Sequence, residues 1–373
     1  MSEYKGIRGW KVQTVSTDPA ASIAATGSWA SGGTLNATRT EQLGTAGTQT
    51  SALTFGRSSP TPTAVTESYN GTSWTSVADF NTARGRGSGV GVSNTSALGI
   101  GGVTNPGDAT VANTESWNGS AWTEVNDLPE ARSDGNAFGT QTAAIQAGGN
   151  RSSIDASTFS WDGTSWSPST SFNTARQENG ATGIQTAGII VGGRNTPGNI
   201  YAITESWNGS AWTEVGDLNT ARNYIGAFGT QTSAIAAGGG VTPSLTATAI
   251  TESWNGTSWT EVNDLATAAK LTSSAAGTDN TSGLVVAGTA TEEWAFTGIP
   301  PTTPAAGYSD AIIGQIYYNS TTGSFKAIKA GGAPIGSWSS GGSLNSARIR
   351  GGGSGIQTAA LYAGGDQQFH LQM

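Results

Sequence analysis

A short cassette that ends in tryptophan recurs along this chain and limits the fold more than any other feature. Its commonest form reads T-E-S-W-N-G-x-x-W. The successive copies end at Trp74, Trp122, Trp166, Trp212 and Trp259. These tryptophans lie about 47 residues apart, and a fixed period of this size indicates a repeat architecture in which each unit is one small supersecondary structure.

The Asn-Gly dipeptide inside each cassette predicts a tight β-hairpin. Asn-Gly between two short alternating runs favours a two-residue turn in which both central residues have positive φ. With Asn70 and Gly71 as the turn, Tyr69 and Trp74 lie diagonally across the hairpin on one face of the sheet. Each hairpin therefore carries an aromatic pair.

The rest of each unit supplies two more strands. Stretches such as GRGSGVGV (85–92) have few large side chains, which suits an innermost strand beside a central axis. Runs such as TSALTFG (50–56) predict a buried strand next to it. We therefore predict four antiparallel strands per unit, A to D from the axis outwards. One such sheet cannot bury both faces alone, whereas radial packing of several sheets does so.

The two ends of the repeat region complement each other. Residues 27–39 have the form of a D strand with no C strand before it, and residues 291–298 have the form of a C strand with no D strand after it. We predict that residues 27–36 pair with residues 289–298, which closes a six-bladed ring and removes its free edges. The alternative takes Trp338 as the sixth D strand and gives seven blades.

These repeats resemble those of kelch-type β-propellers. The resemblance rests on the aromatic-then-Trp hairpin, on the arginine that follows it, and on a glycine pair before each long loop. The glycine pairs are Gly101-Gly102, Gly148-Gly149, Gly192-Gly193 and Gly238-Gly239. Gly56 and Gly288 stand without a second glycine, and Lys270 replaces the arginine in one unit. The resemblance covers roughly residues 27–298 and implies an all-β, six-bladed propeller.

The sequence predicts further segments on both sides of the propeller. The expected parts are an N-terminal docking arm (1–26), the propeller (27–298), a linker with a β-hairpin (299–335) and a partial repeat (336–373). The hairpin comprises residues 314–328, with its turn near Asn319–Gly323. Residues 336–365 repeat the D-A-B strand order of residues 27–56.

Composition and charge narrow the class of protein. The net charge of −8 disfavours nucleic acid and anionic membranes as partners. No apolar run approaches the roughly 18 residues that a membrane-spanning helix needs. The first residues, MSEYKGIRGWKVQ, lack the apolar core of a secretory signal. The chain contains no cysteine, so thiolate metal sites are excluded.

The chemistry of the side chains argues against an enzyme. The single histidine, His370, lies three residues from the last residue of the sequence, which excludes histidine triads and histidine-rich metal sites. Kelch-like copper oxidases depend on a cysteine and histidine ligands that this chain does not have. We therefore expect no catalytic residue, no bound metal and no cofactor.

Three sets of repeated residues have a structural and a functional interpretation. The arginines could form an anion-binding ring or occupy one structural position in every blade. The tryptophans could form a sugar-stacking platform or pack between blades. A repeated Glu–Arg bridge is suggested by Glu67, Glu115, Glu205, Glu252 and Glu292 together with Arg39, Arg84, Arg132, Arg176 and Arg222. Phe159 replaces one glutamate and Lys270 one arginine, so the sequence does not establish an obligate pair.

The segments that differ between units are the candidates for binding. The predicted loops between B and C strands vary in length and content, and variable loops on a rigid scaffold often carry specificity. Neutral drift of unconstrained loops is the alternative. The candidate binding residues are Arg57, Asn105, Asp108, Arg151, Asp155, Arg194, Asn195, Asn199 and Tyr201.

A second resemblance concerns the segments outside the propeller. MSEYKGIRGWKVQTVSTDPAA and GQIYYNSTTGSFKAI are similar to segments of virion proteins of tailed, marine cyanophage-like phages, including fibre and decoration proteins. The resemblance implies a non-enzymatic virion protein, made in the host cytoplasm, whose arm binds other virion subunits. The candidate docking residues are Tyr4, Lys5, Ile7, Arg8, Trp10 and Lys11.

Two functions fit this resemblance. In the first, the propeller attaches the particle to a host-surface glycan, as a fibre or receptor-binding protein does. In the second, it is a capsid or tail decoration or assembly protein with no receptor-binding role. The sequence leaves the receptor, the head or tail location and the formation of homo-oligomers open.

Overall fold

A computed structural model of the chain contains two compact units. One unit comprises residues 25–300, and the other comprises residues 1–24 together with 301–373. The structure describes residues 27–39, 44–57, 61–104, 109–195, 199–242, 245–271 and 273–296, and the backbone of the strands in the second unit. All regular elements within these residues are β-strands.

Residues 25–300 form a six-bladed β-propeller in which each blade is a four-stranded antiparallel sheet. Strands A to D of blade 1 are Gly44–Thr48, Ser51–Arg57, Thr63–Tyr69 and Trp74–Val77. Those of blade 2 are Ser88–Ser93, Ser96–Ile100, Thr114–Trp117 and Trp122–Val125. Those of blade 3 are Asn136–Gly139, Ala144–Asn150, Ile154–Trp161 and Trp166–Ser169. Those of blade 4 are Gly180–Ile184, Ala187–Val191, Thr204–Trp207 and Trp212–Glu214. Those of blade 5 are Gly226–Thr230, Ser233–Ala237, Thr251–Trp254 and Trp259–Glu261. Those of blade 6 are Ala275–Asp279, Ser282–Ala287, Ala290–Ala295 and, as the D strand, Ser28–Ser31.

The ring closes through the N-terminal D strand, as the orphan strands predict. Ser28–Ser31 pairs antiparallel with Ala290–Ala295. The indoles of the paired Trp29 and Trp294 have centroids 5.2 Å apart, and Trp29 Nε1 donates to Thr251 Oγ1 of blade 5 at 3.2 Å. The six-bladed prediction is confirmed, and the seven-bladed alternative is wrong.

The register of the C–D hairpins differs from the predicted one. Tyr69 pairs directly with Trp74, so the loop contains four residues rather than two. Gly71 has φ 89°, while the Asn70 side-chain oxygen accepts the N–H groups of Thr72 and Ser73, both at 2.9 Å. The asparagine therefore acts through a side-chain turn, not through positive φ, and the longer loop brings the two aromatic rings directly opposite each other.

Blades 2 to 6 each carry a pair of tryptophans, blade 1 carries Tyr69 and Trp74, and all of these rings are buried except the partly buried Trp29. Every indole nitrogen of these residues donates a hydrogen bond. In blade 2, the exposed fractions of Trp117 and Trp122 are 1% and 5%. Trp117 Nε1 donates to the carbonyl of Asn94 in the A–B turn of the same blade at 2.9 Å. Trp122 Nε1 donates to Thr66 Oγ1 of the preceding blade at 3.1 Å. The packing interpretation of the tryptophans is thereby confirmed.

Buried ion pairs join neighbouring blades at four of the junctions. Each arginine lies on the connector that leads into a blade, and each glutamate lies on the C strand of that blade. The pairs are Arg39–Glu67, Arg84–Glu115, Arg176–Glu205 and Arg222–Glu252. At the first junction, Asn36 also donates its backbone N–H and its amide to Glu67 Oε2 at 2.7 and 2.9 Å.

The junction that lacks a glutamate has a different solution. The Arg132 guanidinium lies over the ring of Phe159, 4.5 Å from its centroid. It also pairs with Glu130 at 3.2 Å and with Asp155 at 3.5 Å. The residue at the asparagine position of this connector is Pro129. The arginines are thus structural, and the Glu–Arg pair is frequent but not obligate.

The second unit contains the predicted hairpin. Ile316–Asn319 pairs antiparallel with Ser324–Ile328, which brackets the predicted turn. Gln13–Val15 joins this sheet in parallel with the first of these strands, and Pro334–Ser337 joins it beside the second. Gly352–Ile356 and Ala359–Ala363 pair antiparallel in a separate two-stranded sheet.

Deleting residues 1–36 should abolish cooperative folding of the propeller, because it removes the strand that completes blade 6. The matched control is deletion of residues 1–24, which leaves that strand intact. Chemical denaturation followed by tryptophan fluorescence would compare the two. Equal transitions for both truncations would contradict this closure.

Trp122→Ala should lower the free energy of unfolding by about 3–5 kcal/mol, the usual range for a large buried aromatic side chain. Trp122→Phe, which keeps an aromatic ring but loses the bond to Thr66, should cost clearly less. Urea titration measures both. A loss below about 1 kcal/mol for the alanine variant would indicate a solvent-facing indole.

Arg84→Met should cost about 3–5 kcal/mol, because it leaves the carboxylate of Glu115 buried without its counter-charge. In the structure Ala269, not Lys270 as the sequence suggests, occupies the arginine position of its connector, because its carbonyl accepts the N–H of Gly239 as that of Arg222 accepts the N–H of Gly193. Lys270→Met removes an exposed cation one residue further on, so it is the control and should have little effect. Similar losses of stability in the two variants would show that the buried pair is not the source of the difference.

Candidate functional site

The two ends of the ring have different roles in the path of the chain. The A–B and C–D turns lie at one end, called here the turn end, and the B–C and D–A connections lie at the other, the loop end. Because Ser28 pairs with Ala295, the chain enters and leaves the ring at the turn end. The loop end carries only connections between strands.

The loop end is irregular because its B–C connections differ in length. In blades 1 to 6 they span 58–62, 101–113, 151–153, 192–203, 238–250 and 288–289. In blade 5 the connection forms its own small hairpin, in which Gly240–Val241 pairs with Thr246–Ala247. Blade 6 has the shortest connection, so its top is not covered by a loop of its own.

Two of the predicted binding residues form an ion-pair cluster on blade 3. Arg151 is exposed and pairs with Glu130 at 2.9 Å and with Asp155 at 3.0 Å. Asp155 also accepts the backbone N–H of Ser157 at 3.0 Å and lies 3.5 Å from Arg132. This cluster orders the short connection of blade 3.

Two further predicted arginines lie on blades 1 and 4. Arg57 ends the B strand of blade 1, is partly buried, and donates to the carbonyl of Thr38 at 3.2 Å. Arg194 binds Glu178 with two hydrogen bonds, one of 2.7 Å from Nη2 to Oε1. This pairing raises the pKa of Arg194, since the carboxylate favours the charged guanidinium. The structure does not bring Arg57 and Arg194 into contact.

The remaining predicted residues divide into two groups. The Asn195 N–H donates to the Asn199 carbonyl at 3.1 Å, and the Tyr201 N–H donates to Gly193 at 2.8 Å, so both order the loop of blade 4 through the backbone. The other group lies outside the described residues. It comprises Asn105, Asp108, Tyr4, Lys5, Ile7, Arg8, Trp10 and Lys11.

Sequence reasoning missed an inner ring of left-handed residues at the loop end. Arg86, Asp134, Glu178 and Tyr224 have φ of 55°, 58°, 58° and 54°. Each is two residues beyond the repeated arginine of its connector. Their backbones form a chain around the axis, since each N–H donates to the carbonyl of the preceding member at 2.7 or 2.8 Å. Such conformations cost free energy for residues other than glycine and are held here by their neighbours.

The side chains of this inner ring form buried ion pairs. Arg86 binds both carboxylate oxygens of Asp134 at 2.9 and 2.7 Å. Burial raises the pKa of Asp134, and the hydrogen bonds from Arg86 and Ser133 partly offset that rise. Glu178 accepts from Asn223 at 2.6 Å as well as from Arg194. The only sequence signal of this inner ring is that the residue two positions after the repeated arginine changes its charge from blade to blade.

A neutral cavity of about 410 Å³ occupies the axis and extends to the turn end. The A strands of all six blades line it, and none of the lining residues that the structure describes is charged. Threonines such as Thr140 and Thr278 lie near the mouth, together with Val92 and Ile184, which are the exposed large hydrophobic residues of the described structure. The described lining residues carry no group suited to acid–base chemistry.

Comparison with known proteins adds no assignment. No protein-family model matches the chain, and no curated protein matches it significantly. Among the described residues, no group of three or more His, Asp or Glu side chains is placed to hold a metal ion. The same residues include no helix with the length and apolar character needed to cross a membrane. The fold is that of a six-bladed β-propeller.

Proposed function

We propose that this chain is a non-enzymatic, kelch-type propeller protein of a tailed-phage virion, and that its loop end attaches the particle to a host-surface glycan. The observation that carries this proposal is the polarity of the ring. The chain enters and leaves at the turn end, whereas the connections that differ between blades all lie at the opposite end. A protein carried by its turn end would present its variable loops outwards.

The amino-terminal arm is the proposed contact with other virion subunits. Its residues Tyr4 to Lys11 alternate basic and aromatic or apolar side chains, on a chain whose net charge is negative. They precede the strand Gln13–Val15 of the second unit. Several copies per particle would multiply weak contacts at the loop end into firm attachment.

A decoration or assembly protein without receptor binding is the second candidate. The observation that favours it is that several predicted binding residues already form ion pairs with other residues of this chain. Arg151, Asp155 and Arg194 are held in ion pairs, which stabilise the loops and leave fewer polar groups for a ligand. In this function the loop end would be a rigid outer surface.

Deleting residues 1–11 should leave a folded propeller that does not join the particle, because the basic and aromatic arm is missing. Recovery of the variant in purified particles measures joining, and its unchanged melting temperature is the control. Incorporation at the normal level would contradict the docking role of the arm.

Exchanging the loops 103–112 and 194–202 should keep incorporation into particles but change attachment to host cells. The loop end carries specificity in this proposal, and the turn end does not. Unchanged attachment combined with normal incorporation would favour the decoration function. Loss of incorporation would reverse the proposed polarity.

A further inference from the structure

The C–D turns of four blades place an exposed asparagine directly before a glycine. These turns contain Asn70-Gly71, Asn118-Gly119, Asn208-Gly209 and Asn255-Gly256, and all four asparagines are exposed. Within the described part of the chain, the backbone N–H groups of these four glycines donate no hydrogen bond. Glycine also has no Cβ atom to shield its nitrogen. Each of these turns therefore combines a side-chain amide and an unblocked backbone nitrogen next to it.

The side-chain oxygen of each asparagine is held by backbone donors. Asn118 Oδ1 accepts the N–H groups of Ser120 and Ala121, both at 2.9 Å, while the Asn118 N–H donates to the Ala121 carbonyl at 3.2 Å. The turns at Asn70, Asn208 and Asn255 repeat these contacts. Donors in such an arrangement stabilise the negative charge that develops on an amide oxygen when a nucleophile adds to its carbon.

Blade 3 shows that the same donors stabilise a negative charge. Asp162 replaces the asparagine there, and its Oδ1 accepts the N–H groups of Ser165 and Thr164 at 2.7 and 2.8 Å. These hydrogen bonds hold the pKa of Asp162 below its ordinary value, because they favour the carboxylate. Trp161 still pairs with Trp166 across the turn. The position therefore accommodates an aspartate without a change of register.

We propose that the four Asn-Gly turns are sites of spontaneous deamidation, which converts asparagine to aspartate within the folded propeller. The glycine nitrogen loses its proton to water and adds to the asparagine Cγ, and the side-chain nitrogen takes up a proton and leaves as ammonia. Water then opens the cyclic imide, so the net reaction consumes one water and releases one ammonia. Opening at Cγ gives aspartate. Opening at the main-chain carbonyl gives isoaspartate, which has one more atom in the main chain.

The four turns differ in the number of donors to the reacting oxygen. In blades 2 and 4 a serine hydroxyl is a third donor, from Ser120 to Asn118 at 2.9 Å and from Ser210 to Asn208 at 3.0 Å. In blades 1 and 5 a threonine occupies this position, and the described hydrogen bonds include none from its hydroxyl to the asparagine. We therefore expect faster deamidation in blades 2 and 4 than in blades 1 and 5.

These conversions would change the charge of one end of the ring. All four C–D turns lie at the turn end, where Asp162 already places a carboxylate in blade 3. Four added negative charges would take the formal net charge from −8 to −12. The turn end would thus become more acidic as the protein ages, whereas the charge of the loop end would stay the same.

Peptide mass spectrometry of the full chain during incubation at mildly alkaline pH tests the proposal. We expect conversion at the four Asn-Gly turns and none at Asn126, which is exposed but precedes Asp127. Ser120→Ala should slow conversion of Asn118 about threefold, the change expected for the loss of one exposed hydrogen bond. Asn208 in the same variant is the internal control and should keep its rate.

The chain unfolded in guanidinium chloride is the reference for the reaction without the turn. Amides that stay intact in the folded chain while the unfolded chain converts would overturn the proposal. Equal rates at Asn118 and Asn208 in the Ser120→Ala variant would overturn the role of the hydroxyl donor. Because aspartate fits the turn, the folded chain should also give a larger share of aspartate over isoaspartate than the unfolded chain does. An equal share would overturn conversion within the intact turn.

Discussion

The burial of paired aromatic rings, tryptophans in most blades, between neighbouring blades is the constraint on which this structure depends. A four-stranded sheet with two large indoles cannot cover them by itself, so each blade needs the next. The hydrogen bonds of the indole nitrogens also fix how each blade is oriented against its neighbour. Trp122 reaches back to Thr66 of the preceding blade, and Trp74 of blade 1 does the same between the first and last blades through Thr291. Packing and polar satisfaction therefore require the same angular relation between blades, which a closed ring repeats.

Much of this architecture could be predicted because it follows from short, repeated sequence patterns. The Asn-Gly cassette marks the hairpins, and the orphan strands at the two ends of the repeat specify closure. The pairing of Tyr69 with Trp74 could not be predicted from the dipeptide alone, since an asparagine side chain can order a four-residue loop as readily as positive φ orders a two-residue one.

Features that join separate repeats were harder to predict. The sequence suggested a repeated Glu–Arg bridge but not which glutamate each arginine binds; Arg84 on a connector pairs with Glu115 of the following blade. The left-handed backbone at Asp134 and Glu178 depends on hydrogen bonds between blades, and a short stretch of sequence does not indicate such bonds. Among the candidate binding residues, the variability of the loops indicated where to look. It did not distinguish Arg151, which forms ion pairs, from Arg57, which donates to the carbonyl of Thr38.

The geometry of the closing strand has a mechanical consequence. Ser28 and Ala295 are directly paired, and the chain continues away from both at the same end of the ring. Tension between the two flanking segments would thus act at one end of an antiparallel ladder, whose hydrogen bonds run perpendicular to the strands. Under such a load these bonds break one after another rather than together. The seam that completes the ring is consequently its weakest point under force, and tethering by only one of the two segments would spare it.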